Sequence, residues 1–148
     1  MAALKATRSS QYPVVSSFTY DISAGDTLAN TAGTVVAIGY VVGAQAFDCI
    51  KLPLNARVTG GALVVTTVSN DAGTTTLSVG DSGSATRYLG ATTVKSAALT
   101  ALVPTGYLGT GEDIRITLAN GSGGATTGKI TVYVEWVIDG KANEVVPN

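Results

Sequence analysis

From Lys129 to Ile138 apolar and polar positions alternate: Ile130, Val132, Val134, Trp136 and Ile138 fall on one side, and Lys129, Thr131, Tyr133, Glu135 and Val137 on the other. A period of two marks a strand with one face buried, and β-branched and aromatic residues suit a pleated surface. Residues 113–118 repeat the code, with Ile114, Ile116 and Leu118 inward. The stretch between, ANGSGGATTG (119–128), is made of turn formers, and Asn120-Gly121 can supply the positive φ values that reverse a chain. Together these segments predict a β-hairpin with a long tip over 113–138. On its apolar face Trp136 is expected to be core, while Tyr133 opposite is the better candidate for an exposed contact.

Upstream, 74–80 turns Leu77 and Val79 inward. Residues 56–69 read as a long strand with a bulge or bend at Gly60-Gly61. Residues 47–54 end at Pro53, which cannot donate to a ladder. Residues 35–42 are apolar at nearly every position, which predicts either a central strand covered on both faces or an interface strand. Residues 18–22 and 87–89 are shorter candidates, and 92–104 reads as one helical turn then strand, or as strand throughout. About eight short strands spaced by about 8–12 residues predict an all-β fold, a jelly-roll-like antiparallel β-sandwich. The organisation expected is an N-terminal arm (1–17), one sandwich domain (18–139) and a C-terminal tail (140–148).

Composition narrows the function. Of 148 residues, 45% are hydrophobic and 13% charged, with a net charge of -1, so the chain folds and repels its own copies weakly. The nine basic residues are scattered, which argues against nucleic acid as a partner. The longest apolar stretch, 35–44, is too short to span a membrane, and the first residues lack a signal peptide's apolar core, so synthesis in a host cytoplasm is expected. Cys49 has no partner for a disulfide and reads as a small core hydrophobe.

Several strings imitate active sites. VGDSGS (79–84) looks like the nucleophile segment of a serine protease, but the chain has no histidine to serve as base, and no lysine follows Ser82 at S-x-x-K spacing. A turn is the better reading. GGATTGK (123–129) outlines a phosphate loop, yet Ile130 stands where Ser or Thr must reach Mg²⁺, and a strand follows where a helix is needed. With no His and one Cys, zinc and copper lack their usual ligands, and the dispersed acids do not form a calcium loop. Glu112-Asp113 is the one adjacent acid pair, and alternation sends its members to opposite faces, as in a solvated turn. The expectation is a non-enzyme without catalytic residues, metal or cofactor.

The strings KLPLNARVTGGALVV, TLSVGDSGSATRYLG, LTALVPTGY and KITVYVEWVIDGKANEVVP resemble the jelly-roll cement, or head-decoration, proteins of tailed bacteriophages. The likeness runs from about Phe47 to the C-terminus. It implies a virion protein on the capsid exterior that clamps neighbouring capsomers, with the major capsid protein and its own copies, as dimer or trimer, for partners. Arm capture would then supply the grip: a terminus adds as a strand to an exposed edge of the capsid protein. The anchors available are Leu4, Tyr12, Val14 and Val15 with the cations Lys5 and Arg8 at the N-terminus, and Val145, Val146 and Pro147 at the C-terminus. The alternative is a carbohydrate- or receptor-binding module of a phage fibre, which would need exposed aromatics, mainly tyrosines, gathered on one face.

Overall fold

The structure, a computed structural model describing residues 12–40 and 42–140, contains eleven strands and two 3-10 turns. The strands are β1 (Val14–Asp21), β2 (Thr27–Ala29), β3 (Val35–Ala37), β4 (Gly43–Ile50), β5 (Leu54–Thr67) and β6 (Thr75–Gly80), followed by β7 (Leu89–Thr93), β8 (Ala98–Ala101), β9 (Leu108–Thr110), β10 (Ile114–Asn120) and β11 (Lys129–Ile138). One sheet runs β1-β11-β5-β8, with β9 also on β5; a second runs β4-β10-β6-β7; β2 and β3 form a small ribbon. With β2, β3 and β9 set aside, the remaining strands pair from the outside inward: β1 with β11, β4 with β10, β5 with β8, β6 with β7, all antiparallel. That nesting is one long hairpin rolled over itself, the jelly roll expected from the strand spacing.

The two inner faces make one core. Leu63 and Val65 of β5 and Ile130, Val132 and Val134 of β11 meet Phe47, Leu77, Val79, Ile114, Ile116 and Leu118 of the facing sheet, all buried. Strand β10 alternates buried and half-buried residues along its length, as its sequence does. Trp136 lies half-buried at the margin of this core, and its Nε1 donates to Ser16 Oγ at 3.1 Å, joining β11 to β1. Trp136→Ala is therefore expected to destabilise by about 3 kcal/mol, the low end for a large aromatic. Trp136→Phe, which mainly loses the hydrogen bond, should cost about 1 kcal/mol. Urea unfolding of both variants separates packing from bonding.

The bend at Gly60-Gly61 is present as a bulge: Glu135 pairs with Gly60, and the next residue, Trp136, with Val58. Gly61 has φ 138, and a Cβ there would overlap Tyr133 O and lie 3.0 Å from Leu102 Cδ1.

Three expectations need correction. Residues 113–138 are not a hairpin: β10 and β11 lie in different sheets, and 121–128 cross from one to the other. Alternation identifies a strand with one buried face but carries nothing about which strand it pairs with. Residues 35–42 are not a single strand either. β3 stops at Ala37 and the chain turns through Ile38–Tyr40. The turn brings Gly39 against the crossing loop, whose Ala125 N donates to Gly39 O at 3.0 Å, and a Cβ on Gly39 would overlap Ala125 O. Its apolar residues then divide, Ile38 entering the core while Val35 and Val42 are exposed. Finally, 92–104 contains no helical turn; it holds the end of β7, all of β8 and the chain leading to Leu102.

The crossing loop is pinned by polar side chains. Asn70 Oδ1 accepts from Thr126 N (2.8 Å) and Thr127 N (3.1 Å), and Asp71 Oδ2 accepts from Ser122 N and Thr75 Oγ1, both at 3.2 Å. Burial raises the Asp71 carboxyl, but hydrogen bonds from Ser122, Gly73 and Thr75 outweigh it and hold the group below its ordinary range.

Candidate partner-binding surface

Strand β1 is at the edge of the five-stranded sheet, and its pairing begins at Val14, opposite Trp136. Residues 14–17, expected to belong to the arm, are thus already ladder; the Val-Val-Ser-Ser run has no alternation to reveal it. Because β1 starts where β11 ends, the described chain stops at both ends on one side of the sandwich. Tyr12, 67% exposed, and Val14, which faces Trp136 and is 44% exposed, both stand there. Of the other arm residues, Leu4, Lys5, Arg8, Val145 and Val146 lie outside the described residues. Of the expected anchors, the described chain therefore holds three, Tyr12, Val14 and Val15, all exposed.

A second surface is the outer face of the five-stranded sheet. Register places Ser17, Tyr133, Ala62 and Ala101 in one row across β1, β11, β5 and β8, and Thr19, Thr131, Val64 and Leu99 in the next. Both rows are uncharged. Tyr133 is 42% exposed and Leu99 69%, while Val15, in the row below beside Glu135, is 64% exposed. Thr19 and Thr131 share a hydroxyl hydrogen bond of 2.8 Å. Beyond these rows Arg57 of β5, opposite Val137, pairs with Asp139 at 2.8 Å, and the remaining charge lies toward the two ends of β11. At one, Lys129 Nζ is 3.4 Å from Asp21 Oδ2; at the other, Glu135 makes no ion pair among the described residues. Tyr133 was legible from parity. Leu99 and Val64 were not, because their membership of this face depends on pairing across the sheet.

The strings that imitate active sites hold turns. Asp81 accepts from Gly83 N (2.9 Å), Ser84 N (2.8 Å) and Arg87 Nε, while Ser82 points to solvent. Arg87 in turn stacks on Tyr107, 3.7 Å from its ring centroid. Lys129 opens β11 and Ile130 is core, so 123–129 leads into a strand. Cys49 Sγ donates to Ile114 O at 3.2 Å, and burial pushes the thiol up to about 12, leaving it protonated and unreactive. No group of three or more His, Cys, Asp or Glu gathers as metal ligands among the described residues.

Glu112 is not simply solvated, as the sequence suggested. It accepts from Thr110 Oγ1 (2.7 Å), Thr110 N (2.6 Å) and Tyr107 Oη (2.7 Å), and the Thr110 and Tyr107 hydroxyls lead in lowering its carboxyl to about 2. A depressed carboxyl stabilises the fold above its unfolded pKa, and that contribution fades as pH falls toward the folded value. Wild type is therefore expected to melt higher than Glu112→Gln at pH 7, with the gap closing between about pH 4.5 and about pH 2. Thermal melts of both proteins across that range check the prediction; a gap independent of pH would contradict it.

Three solved structures share the fold over most of its length. A chain of the capsid asymmetric unit of cyanophage Pam1 is similar with a TM-score of 0.60 and 28% identity, covering 93% of this chain and 94% of that one. A chain of the acid-stable capsid of Helicobacter pylori bacteriophage KHP30 gives a TM-score of 0.56 at 15% identity, over 86% of this chain and 88% of that one. A chain of the capsid of Ralstonia phage GP4 gives 0.55 at 17%, over 95% and 93%. No protein-family model matches the chain, and no curated protein matches it in sequence. The fold is one found in phage capsids.

Proposed function

We propose that this chain is a structural, non-enzymatic protein of a phage virion, a cement protein that attaches to the outside of the assembled capsid and bridges neighbouring capsomers. The likeness to a chain of the Pam1 capsid asymmetric unit, over nearly the full length of both, is the observation that carries this reading. The chain works by geometry. A jelly roll braced by loop staples such as Asn70 and Asp71 is the rigid body. Its partners are the major capsid protein and further copies of itself. The arms beyond Tyr12 and Gly140, with Leu4, Lys5, Arg8, Val145 and Val146, add to exposed strand edges on the shell. Several weak grips joined in one oligomer bind far more tightly than one.

The sugar-binding alternative loses ground, because a stacking platform needs several aromatics together and Tyr133 is the one aromatic in the two central rows of the outer face. The experiment mixes purified full-length chain with undecorated capsids, pellets them and images the particles by cryo-EM. Extra density of jelly-roll size on the outer surface is expected. Density on the inner surface, or none at saturating protein, sinks the proposal.

A further inference from the structure

We propose that two copies of this chain stack the outer faces of their five-stranded sheets about a two-fold axis that runs across the strands near Val132, so that Glu135 of each copy meets Lys129 of the other. The inference deepens the self-association proposed above by naming its surface and symmetry.

Three observations carry it. The first is the charge pattern of β11: Lys129 and Glu135 lie on the same outward parity, three residues to either side of Val132, with Thr131 and Tyr133 between them. A two-fold across the strands reverses β11 and sets each acid over the other copy's base. An axis along the strands instead stacks Glu135 on its own copy or leaves it over Gly60 without a counter-charge. Glu135 has no ion pair among the described residues, so it is available for the contact.

The second is shape. The same operation lays the Tyr133 row of one copy on the Thr131 row of the other. Leu99 then faces Ala101, Val64 faces Ala62, and Tyr133 faces Thr131, a large residue over a small one each time. Stacked sheets interdigitate in this way at a separation of about 10 Å, with strands about 30° from alignment.

The third is exposure. Leu99, Tyr133 and Val15 leave apolar surface in water on a face whose two central rows carry no charge to prevent association. Four strands about 4.8 Å apart and seven residues of β11 give a projected footprint of roughly 20 by 20 Å, about half of the ~800 Å² per partner of a standard interface. The pair is therefore weak in dilute solution and forms readily where copies are crowded, as on a shell.

Sedimentation equilibrium of the full chain, up to high-micromolar concentration and at low salt, tests this. A monomer–dimer equilibrium is expected. Glu135→Lys should weaken the dimer at least about tenfold by setting like charges together, while Glu135→Lys combined with Lys129→Glu should recover most of that loss. Leu99→Lys, at an exposed edge position, should abolish the dimer; circular dichroism and melting check that each variant is folded. The proposal is overturned by a chain that stays monomeric throughout, by a dimer indifferent to Glu135→Lys and Leu99→Lys, or by a folded double charge variant that regains nothing. No capsid enters this measurement, so failure of capsid attachment in the previous experiment is a separate result.

Discussion

Gly61→Val is expected to lower stability by about 4 kcal/mol, combining a backbone conformation unsuited to an L side chain (about 1–3 kcal/mol) with overpacking (about 1–3 kcal/mol). Gly61 has φ 138, and its Cβ position overlaps the carbonyl oxygen of Tyr133 on the neighbouring strand. Neither strand can easily give way. β5 is held by β11 on one side and by β8 on the other, and Leu102 N donates to Gly61 O at 3.0 Å. For a domain of this size the loss corresponds to a fall in melting temperature of about 8–16 °C. Gly60→Ala is the control: its Cβ would meet Glu135 Oε2 at 3.4 Å, an ordinary contact, and the cost should stay below about 1 kcal/mol. If the two variants melt alike, the bulge is not the constraint described.

Deleting residues 1–11 is expected to leave the melting temperature within a few degrees of wild type while weakening attachment to undecorated capsids about a hundredfold or more. The segment carries Lys5 and Arg8 with no acid, and Leu4 as its large apolar residue, a composition suited to an acidic, grooved partner. The cut matters. A truncation through residue 15 would also remove Val14 and Val15, which pair with Trp136 and Glu135, and so would confuse lost binding with a weakened β1. Occupancy of capsids at rising salt, for full-length and truncated chains, is the measurement. Equal binding would discard the N-terminal arm as the grip and shift the test to Val145 and Val146.

What could be read in advance follows from which residues have one face in the core. β6, β10 and β11 alternate because one parity meets the opposite sheet, and the Gly60-Gly61 pair showed its bend because few other residues tolerate one. β8 had no readable pattern, since Leu99 and Ala101 on its outer parity are as apolar as a core face. Pairing is a further matter. The strands of 113–138 were legible, but their separation into two sheets depends on which partners arrive from elsewhere in the chain. Of the proposed contacts, Tyr133 could be read by parity, while the arms were singled out only by their lack of pattern. The face uniting Tyr133, Val64 and Leu99, in two neighbouring rows, required the register.

The nesting of the strands has a consequence for how the chain acquires its shape. β11 lies between β1 and β5, and a bond such as that between Thr19 and Thr131 joins residues 112 apart. During synthesis, therefore, β1 and β5 emerge with no strand between them, and the five-stranded sheet cannot close until 129–138 leave the ribosome. Folding dominated by such distant pairings is slow, on the order of milliseconds to seconds, and leaves strand edges open meanwhile. The nascent protein must stay soluble through that interval with little net charge. Expression at lower temperature, or with a chaperone that shields open edges, should raise the yield of folded chain more than any change to the finished surface.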